Sequence, residues 1–455
     1  MSPSEKRNKY TELSQKYGDP WIWGIYIMLV IISIVESYSA SSREIASQGV
    51  YMPLIKQVVL LVLGFGIVFA LVRTEYNRSR FLLIMIPGLT ILTVLSLLYV
   101  MFFGVVINDA ARAINLPLGF TFQPAELAKL SIVTLLSYVL AKSQKDHDVS
   151  VRGMIIAGVA VAVYGGLMIK GGLTNTLLLM VISLSMLLIG GASFKKIVFL
   201  LLFYAFFGGA FYALKNYNDQ KDENLMVVQQ ERRAVNEDGD SVVVLVNEDN
   251  AKGGSSGLRN KTWASRVKAW WNSDSLVYRP LNNKNQQEMF SRMAQAHGGI
   301  YGVGIGQSRE CSRLPLAFSD YIYSIIVEET GLLGGLFVLL LYLWLLARSA
   351  MIVQRSRRVL PSLLIIGTAS LVTFQALFHM AINVGVFPVS GQPLPLISKG
   401  GTSILVMSAA FGIMLTVSRT IANYNNKNNK VEETRLPEGL DAENPTQIVP
   451  KNVWK

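Results

Sequence analysis

Charged side chains are scarce in this chain: Lys, Arg, Asp and Glu together make up 16% of its 455 residues, against about 25% in soluble domains. There are only three histidines and one cysteine. These residues are the usual zinc ligands, so no metal-ligand cluster is expected, and Cys311 has no partner for an internal disulfide. The sequence also lacks a phosphate-binding P-loop and a nucleophile elbow. These absences argue against a zinc enzyme, a P-loop nucleotide hydrolase and an elbow-type serine hydrolase.

Long apolar runs take the place of the missing charge. Hydrophobic residues make up 51% of the chain, and the mean hydropathy is +0.38. Runs of roughly 18–25 apolar residues have the length that spans a bilayer as a helix. Ten such runs lie at about 21–38, 55–72, 81–106, 124–141, 153–169, 174–192, 195–214, 319–347, 360–387 and 402–421. We therefore predict an all-α polytopic membrane protein with about ten transmembrane helices.

The distribution of Lys and Arg between the loops predicts the orientation. The short loops on the side of the N-terminus hold 12 such residues, and the short loops on the other side hold about four. By the positive-inside rule, both termini are expected in the cytoplasm. The net charge of +12 reflects this asymmetry, and no basic face on a soluble domain indicates a nucleic-acid partner. The first apolar run follows a polar tail and lacks a small-residue cleavage site, so we expect an uncleaved signal anchor.

The predicted spans divide the chain into five parts. We expect a cytoplasmic tail at 1–20, transmembrane helices 1–7 within 21–214, a large extracytoplasmic loop at 215–318, transmembrane helices 8–10 within 319–421, and a disordered cytoplasmic tail at 422–455.

The large outer loop has segments of its own. The acidic stretch 224–249 has two β-prone runs around Asp238-Gly239, which predicts a hairpin. Residues 261–274 place Trp rings at helical spacing and predict an amphipathic helix on the outer membrane surface. The run HGGIYGVGIGQS at 297–308 has the glycines of a loop whose backbone closely approaches another group.

Three acidic residues lie around the start of the eighth predicted span. The stretch LPLAFSDYIYSIIVEETG at 314–331 holds Asp320, Glu328 and Glu329. A carboxylate inside hydrocarbon is costly unless it is paired, hydrated or used. Asp320 lies where the outer loop meets the span, so it is a candidate general base for a substrate at the outer face. The alternative is a structural cap or ion pair. Glu328 lies deeper and points in another direction, which predicts a lining or pairing role inside the bundle.

A second group of charges opens the fourth predicted span. Pro124 suits the first turn of a helix, and Glu126 and Lys129 then share one helical face. This pair either ties the span to its neighbours or binds substrate directly. In the ninth span, the lone His379 is expected to be a packing residue.

An irregular segment precedes the tenth predicted span. The stretch VFPVSGQPLPLISKGGTS at 386–403 holds three prolines, among them Pro395, and three glycines. Irregular backbone at membrane depth is tolerated only where it is buried in protein or lines a polar cavity. Its end places backbone N–H groups at a helix N-terminus, which is a natural anion site. The residues expected to bind an anionic substrate here are Ser398, Lys399, Gly400, Gly401 and Thr402. The alternative is a tight re-entrant turn with no ligand.

Four segments together resemble one family, the shape, elongation, division and sporulation (SEDS) proteins. They are FQPAELAKL at 122–130, GGIYGVGIGQS at 298–308, LPLAFSDYIYSIIVEETGLLGG at 314–335 and NVGVFPVSGQPLPLISKGGTS at 383–403. This sequence departs from the family pattern at Lys399, where Tyr is usual, and at His379, where Asn is usual. SDYIY and GQPLPLIS look more like the division members, FtsW, than the elongation members, RodA.

The resemblance implies a peptidoglycan glycosyltransferase. Such an enzyme polymerises lipid II, an undecaprenyl-pyrophosphate-linked disaccharide peptide, into glycan strands at the outer face of the bacterial cytoplasmic membrane. The resemblance implies septal cell-wall synthesis in cell division, catalysis at Asp320, a Glu126–Lys129 pair, and substrate-binding roles for Arg112 and Arg266. It further implies a class B penicillin-binding protein and other divisome proteins as partners. No cofactor is certain, and a divalent cation stays open.

Three other functions remain open at this point. The chain is alternatively an elongation polymerase of the RodA type, a flippase that moves lipid II across the membrane, or a catalytically silent scaffold. A transporter is expected to place charges near the midplane of the bilayer, whereas the polar residues here lie mostly at the outer ends of the spans.

Overall fold

The structure is a computed structural model, and it describes residues 3–40, 51–74, 79–107, 110–115, 121–145, 148–169, 172–205, 270–271, 285–314, 317–356 and 358–435. The predicted acidic hairpin at 224–249 and Arg266 lie outside these residues. Only Trp270 and Trp271 of the predicted amphipathic helix at 261–274 are described.

Helices dominate the described chain because a backbone in lipid must satisfy its own hydrogen bonds. They are α1 (Pro3–Tyr17), α2 (Pro20–Ser39), α3 (Tyr51–Arg73), α4 (Ser79–Phe103), α5 (Pro124–Lys142), α6 (Val151–Ile169), α7 (Leu173–Ile189), α8 (194–205), α9 (Gln286–Gly298), α10 (Ile322–Gln354), α11 (Val359–Asn383) and α12 (Gly401–Arg435). Short antiparallel strands β1 (Val105–Ile107), β2 (Ala110–Asn115) and β3 (Thr121–Phe122) join α4 to α5 in the order β1-β2-β3. A small hairpin, β4 (Gln144–Lys145) and β5 (Asp148–Val149), joins α5 to α6.

Eight of the described helices are long and apolar enough to cross a membrane: α2 to α6 and α10 to α12. They coincide with eight of the ten predicted spans. The sixth predicted span corresponds to α7, which is apolar and 17 residues long. The seventh corresponds to α8, which is described as far as residue 205. The predicted all-α, multi-pass membrane architecture is confirmed.

Two buried apolar clusters hold the bundle together. The larger cluster is built mainly by α2, α3, α10, α11 and α12, and the smaller one by α5, α6 and α7. Helices α5 and α11 pack directly against each other, so they join the two halves. Exposed apolar side chains such as Val62, Leu95 and Ile155 lie on the outside, as expected for a surface that faces lipid.

Helix α10 is interrupted at Gly331, whose φ and ψ are 75° and −176°. Two contacts with α11 show the bend. Thr373 Oγ1 donates to the carbonyl of Tyr342 at 3.1 Å, and Ser324 Oγ donates to Asn383 Oδ1 at 2.9 Å. At 1.5 Å per residue, the two contact residues of α10 would be about 27 Å apart in a straight helix, whereas their two partners on α11 are about 15 Å apart. A straight α10 could not make both contacts. The part of α10 before Gly331 is therefore not collinear with the rest of the helix.

The glycine-rich run docks its backbone on this break. The hydrogen bonds are Val303 N to Glu328 O at 3.0 Å, Gly304 N to Glu329 O at 3.0 Å, Leu332 N to Gly299 O at 2.9 Å and Leu333 N to Ile300 O at 3.4 Å. They satisfy helix groups that lose their own partners at Gly331. The close approach predicted from the glycines at 297–308 is therefore made to α10.

Two of the glycines are required by this docking. A Cβ at Gly302 would lie 2.2 Å from the carbonyl oxygen of Glu329, and a Cβ at Gly331 would lie 2.2 Å from that of Ile300. Both have positive φ, +82° and +75°, which side chains rarely adopt. No side chain fits at either position without separating the loop from α10.

We expect Gly302→Ala to loosen the docked loop far more than Gly306→Ala. Gly306 has nearly the same φ, +79°, but nothing within 4 Å of the added methyl group, so the comparison isolates the steric clash from the backbone strain. Overpacking typically costs about 1–3 kcal/mol. The check is amide hydrogen exchange at residues 299–306 together with the thermal unfolding temperature. Equal changes in the two variants would contradict close docking.

Both ends of the described part of the chain are helical. Helix α1 lies within the expected tail at 1–20. Asp19 follows this helix, and its carboxylate accepts from the backbone N–H of Trp21 at 3.0 Å and so caps α2. Helix α12 continues to Arg435, although disorder was predicted from 422. Lys and Glu have high helix propensity, and adding residues to an existing helix costs far less than starting one.

Helix α9 was not predicted from the sequence. Its buried residues Ser291, Ala294 and Gly298 follow the i, i+3, i+7 spacing of one helical face. This signal is carried by small residues instead of large apolar ones, so the hydrophobic pattern of α9 is weak.

Candidate active site

Asp320 lies on the turn that leads into α10, and its side chain is partly exposed. Ser319 Oγ donates to Asp320 Oδ1 at 3.1 Å. The backbone carbonyl of Asp320 accepts from Asn383 Nδ2 at 3.1 Å. The carboxylate is thus held at a fixed place while it remains accessible, which is the arrangement that a general base requires.

The irregular segment at 386–403 faces this carboxylate with bare backbone. Gly391 has a φ of +69°, and a Cβ built on it would lie 3.0 Å from Asp320 Oδ2. A larger residue would therefore contact Asp320 Oδ2 directly. Gly391 was not singled out in the sequence, although it is the first residue of GQPLP.

The polar backbone of this segment is satisfied by side chains from the surrounding helices. Two of these side chains come from α11: His379 Nδ1 lies 2.6 Å from the carbonyl of Gln392, and Gln375 Nε2 donates to the carbonyl of Pro393 at 3.3 Å. Tyr342 Oη of α10 donates to the carbonyl of Pro395 at 2.6 Å. Ser33 Oγ of α2 donates to the carbonyl of Ile397 at 3.2 Å. These bonds explain how irregular backbone persists inside a membrane protein. They also explain why His379, Gln375 and Ser33 are buried polar residues.

The end of the segment is tied to the turn that carries Asp320. Ser398 Oγ donates to the carbonyl of Ser319 at 2.7 Å, and the backbone N–H of Lys399 donates to that of Phe318 at 3.0 Å. The Lys399 ammonium lies 5.1 Å from the centre of the Phe318 ring. Lys399 and Asp320 therefore lie at the same end of the helix bundle.

The five residues expected to bind an anion divide into two groups. Ser398 and Thr402 are buried, and Thr402 Oγ1 accepts from the backbone N–H of Gln123 at 3.1 Å. Their hydroxyl groups hold the backbone in place. Lys399, Gly400 and Gly401 are partly exposed at the start of α12, where the first N–H groups of a helix are available to an anion.

The Glu126–Lys129 pair is fully buried. Lys129 Nζ lies 2.7 Å from Glu126 Oε1 and 2.7 Å from Gln375 Oε1. Gln375 Nε2 in turn donates to Glu126 Oε2 at 3.2 Å. Pro124 is the first residue of α5 and is also buried. This closed triad joins α5 to α11 and favours the structural alternative, while direct contact with substrate stays a prediction.

The three acidic residues of the stretch 314–331 lie in different surroundings. Glu328 accepts from Ser308 Oγ and from the backbone N–H of Arg309, the latter at 3.0 Å, and so holds the loop that follows α9. Glu329 accepts from Ser39 Oγ at the end of α2. Only Asp320 faces the irregular segment.

Two arginines, Arg112 and Arg266, were also predicted to bind substrate. Arg112 lies on β2, which pairs with the strand immediately before α5. Arg266 lies outside the described residues. Within the described chain, no group of three or more His, Cys, Asp or Glu residues is arranged to hold a metal ion.

The sequence as a whole matches a known family model. The model of the FtsW, RodA and SpoVE family of cell cycle proteins matches residues 20–238 and 256–423. The chain belongs to this family.

Relatives in the FtsW, RodA and SpoVE family resemble the chain over most of its length. The "probable peptidoglycan glycosyltransferase FtsW" of Enterococcus hirae is 25% identical and covers 91% of this chain and 95% of its own. The protein of the same description from Geobacter sulfurreducens is 27% identical and covers 86% and 92%. A solved structure described as "Structural coordination of polymerization and crosslinking by a peptidoglycan synthase complex" is similar in fold, with a TM-score of 0.60, 23% identity, and coverage of 89% and 98%. The predicted SEDS resemblance is confirmed.

Asn383 is a member of the site that sequence reasoning missed. It is buried, and its Nδ2 donates to the carbonyls of Asp320 and His379 at 3.1 and 2.9 Å. Its Oδ1 accepts from Ser324 Oγ at 2.9 Å, and its own carbonyl accepts from Gln295 Nε2 at 2.7 Å. Asn383 thus ties α9, α10 and α11 to the turn of Asp320. The sequence signal for Asn383 is a single amide side chain at the end of an apolar span.

Proposed function

We propose that this chain is a peptidoglycan glycosyltransferase that polymerises lipid II at the outer face of the cytoplasmic membrane, with Asp320 as the general base. The observation that carries the proposal is the partly exposed Asp320 carboxylate, held opposite the bare backbone of Gly391 on the turn to which the backbone of Lys399 is hydrogen-bonded. The names of the full-length relatives support the reaction class.

The groups at the mouth suit transfer of a sugar from a pyrophosphate. Asp320 takes the proton of the acceptor hydroxyl while the oxygen of that hydroxyl forms the new bond to the donor sugar. The bond from that sugar to the pyrophosphate breaks, and the lipid pyrophosphate leaves with the bonding electrons. We assign binding of the leaving anion to Lys399 and the N–H groups at the start of α12, and to Arg112 on the family resemblance. A pyrophosphate needs little protonation to leave, so one carboxylate suffices where glycosidases use two.

The biological setting is a finer part of the proposal. We place the chain in the bacterial cytoplasmic membrane with both termini inside, on the basis of its loop charges. We assign it to septal synthesis with a class B penicillin-binding protein and other divisome proteins. The FtsW names of the relatives support this assignment over an elongation role.

The test of function is lipid II polymerisation by the purified chain together with its cognate penicillin-binding protein, whose transpeptidase site is blocked. We expect glycan chains from the wild type. If no chains form and lipid II instead crosses the bilayer of liposomes that contain the chain, the function is transport and the proposal is wrong.

We expect Gly391→Ala to lower kcat for polymerisation by about 10²-fold, because the methyl group displaces the Asp320 carboxylate. Gly385→Ala is the matched control: its φ is +86°, and its methyl group would meet the mobile end of Arg292. Comparing initial rates of glycan formation separates the two effects. A loss of the same size in both variants would show that backbone strain, not contact with Asp320, lowers the rate.

A further inference from the structure

A cavity lies at the end of the bundle opposite Asp320. Its volume is about 720 Å³, within the range of small-molecule sites. Helix α1, the start of α2 and the inner ends of α10 and α12 form its wall. The lining residues that matter for its chemistry are Tyr10, Asp19, Trp21, Arg348, Arg355 and Ala422.

The base of the cavity is a closed ion-pair network. Arg348 Nη2 lies 2.7 Å from Asp19 Oδ2, and its Nε lies 3.1 Å from Asp19 Oδ1. The same guanidinium donates to the hydroxyl of Tyr10. The charges of Arg348 and Asp19 therefore balance each other, and the network fixes α1 against α2 and α10.

Arg355 gives the cavity its net positive charge. It is the C-cap residue of α10, and its side chain is exposed. Asn425 Nδ2 donates to its carbonyl at 3.0 Å, which fixes the backbone that carries the guanidinium. Asp19 is the only acid in the described lining, and Arg348 already neutralises it. A ligand at Arg355 is therefore expected to be an anion.

The cavity opens towards the lipid-facing side of the bundle. Trp21 lines it and is 53% exposed, and Trp344 on α10 is 45% exposed. Their rings form an edge-to-face pair with centroids 5.9 Å apart. Exposed Trp at the end of a span is typical of the headgroup level of a bilayer, so the cavity lies at the depth of phospholipid headgroups.

We propose that this cavity binds the headgroup of an anionic phospholipid. Its phosphate lies at Arg355, its polar headgroup enters the cavity, and its acyl chains follow Trp21 and Trp344. A lipid is favoured over free phosphate because the cationic Arg355 and the apolar ring of Trp21, which pairs with Trp344, line the same cavity. The bound lipid would hold α1 to the ends of α10 and α12. This inference is independent of the proposed activity.

The test is lipid retention, measured by native mass spectrometry on the full chain extracted from nanodiscs of phosphatidylcholine with and without phosphatidylglycerol. We expect preferential retention of phosphatidylglycerol. Arg355→Gln should lower it about five-fold, since one cation near a membrane surface contributes about 1 kcal/mol. Ala422→Trp, which fills the cavity, should lower it as well. Arg152→Gln, an exposed arginine of α6 outside the cavity, should leave retention unchanged.

Three results would overturn the proposal. Unchanged retention in folded Arg355→Gln and Ala422→Trp would place the lipid elsewhere. An equal loss in Arg152→Gln would mean diffuse attraction to a basic surface. Displacement of phosphatidylglycerol by inorganic phosphate alone would make free phosphate the ligand. Folding of each variant is checked by its thermal unfolding temperature.

Discussion

Asp320→Asn is expected to lower the rate of glycan formation by about 10²–10⁴-fold, the usual contribution of a general base. The amide has nearly the shape of the carboxylate, so the hydrogen bond from Ser319 and the backbone contact with Asn383 should persist. The variant is therefore expected to fold, to bind its penicillin-binding protein and to bind lipid II. Initial rates of polymerisation and a pull-down of the partner measure these properties together.

Asp148→Asn is the control for a general effect of removing a carboxylate. Asp148 lies on the hairpin at the opposite end of α5, and the hydrogen bond from the Lys196 ammonium, 2.7 Å from its Oδ2, holds the pKa of Asp148 below its usual range. This variant loses a surface ion pair but should polymerise normally. Wild-type rates in Asp320→Asn would instead show that Asp320 is a structural cap.

Lys129→Met is expected to give the largest loss of stability. The substitution leaves Glu126 as an unpaired charge in a fully buried site, and it removes the donor shared with Gln375. Breaking one partner of a buried ion pair typically costs about 3–5 kcal/mol. We expect a marked fall in the thermal unfolding temperature and in the yield of monodisperse protein.

The double variant Glu126→Gln, Lys129→Met separates the two roles considered for this pair. It removes both charges, and the new amide retains a group able to bond with Gln375. If the pair is structural, the double variant should recover most of the stability and the activity. A variant that is folded and stable but inactive would mean that the pair contacts substrate, as the family resemblance implies.

The membrane architecture was predictable because the spans depend on local composition. Length and hydropathy decide whether a segment crosses a bilayer, whatever its neighbours are. The glycines at 297–308 likewise predicted that the backbone of this loop closely approaches another group. Their partner, the break at Gly331, was not predictable, because a single glycine inside an apolar run does not show that a helix ends there.

The site was only partly predictable for the same reason. Asp320, Lys399 and the start of α12 stand out in the sequence as polar groups at the outer ends of spans. Asn383 and Gly391 do not, since their importance comes from contacts with Asp320 across more than sixty residues of chain. The hydroxyl groups of Ser398 and Thr402 bond to backbone groups of neighbouring segments, a role that the sequence does not show, while anion binding at these residues stays a prediction.

The most direct measurement is an experimental structure of Asp320→Asn with lipid II bound. We expect the acceptor hydroxyl within about 3 Å of the side chain at position 320, the reach of a general base, and the donor pyrophosphate beside Lys399 and the first turn of α12. If both sugars and the pyrophosphate lie beyond hydrogen-bonding distance of these groups, Asp320 does not act on the substrate and the proposed mechanism is wrong.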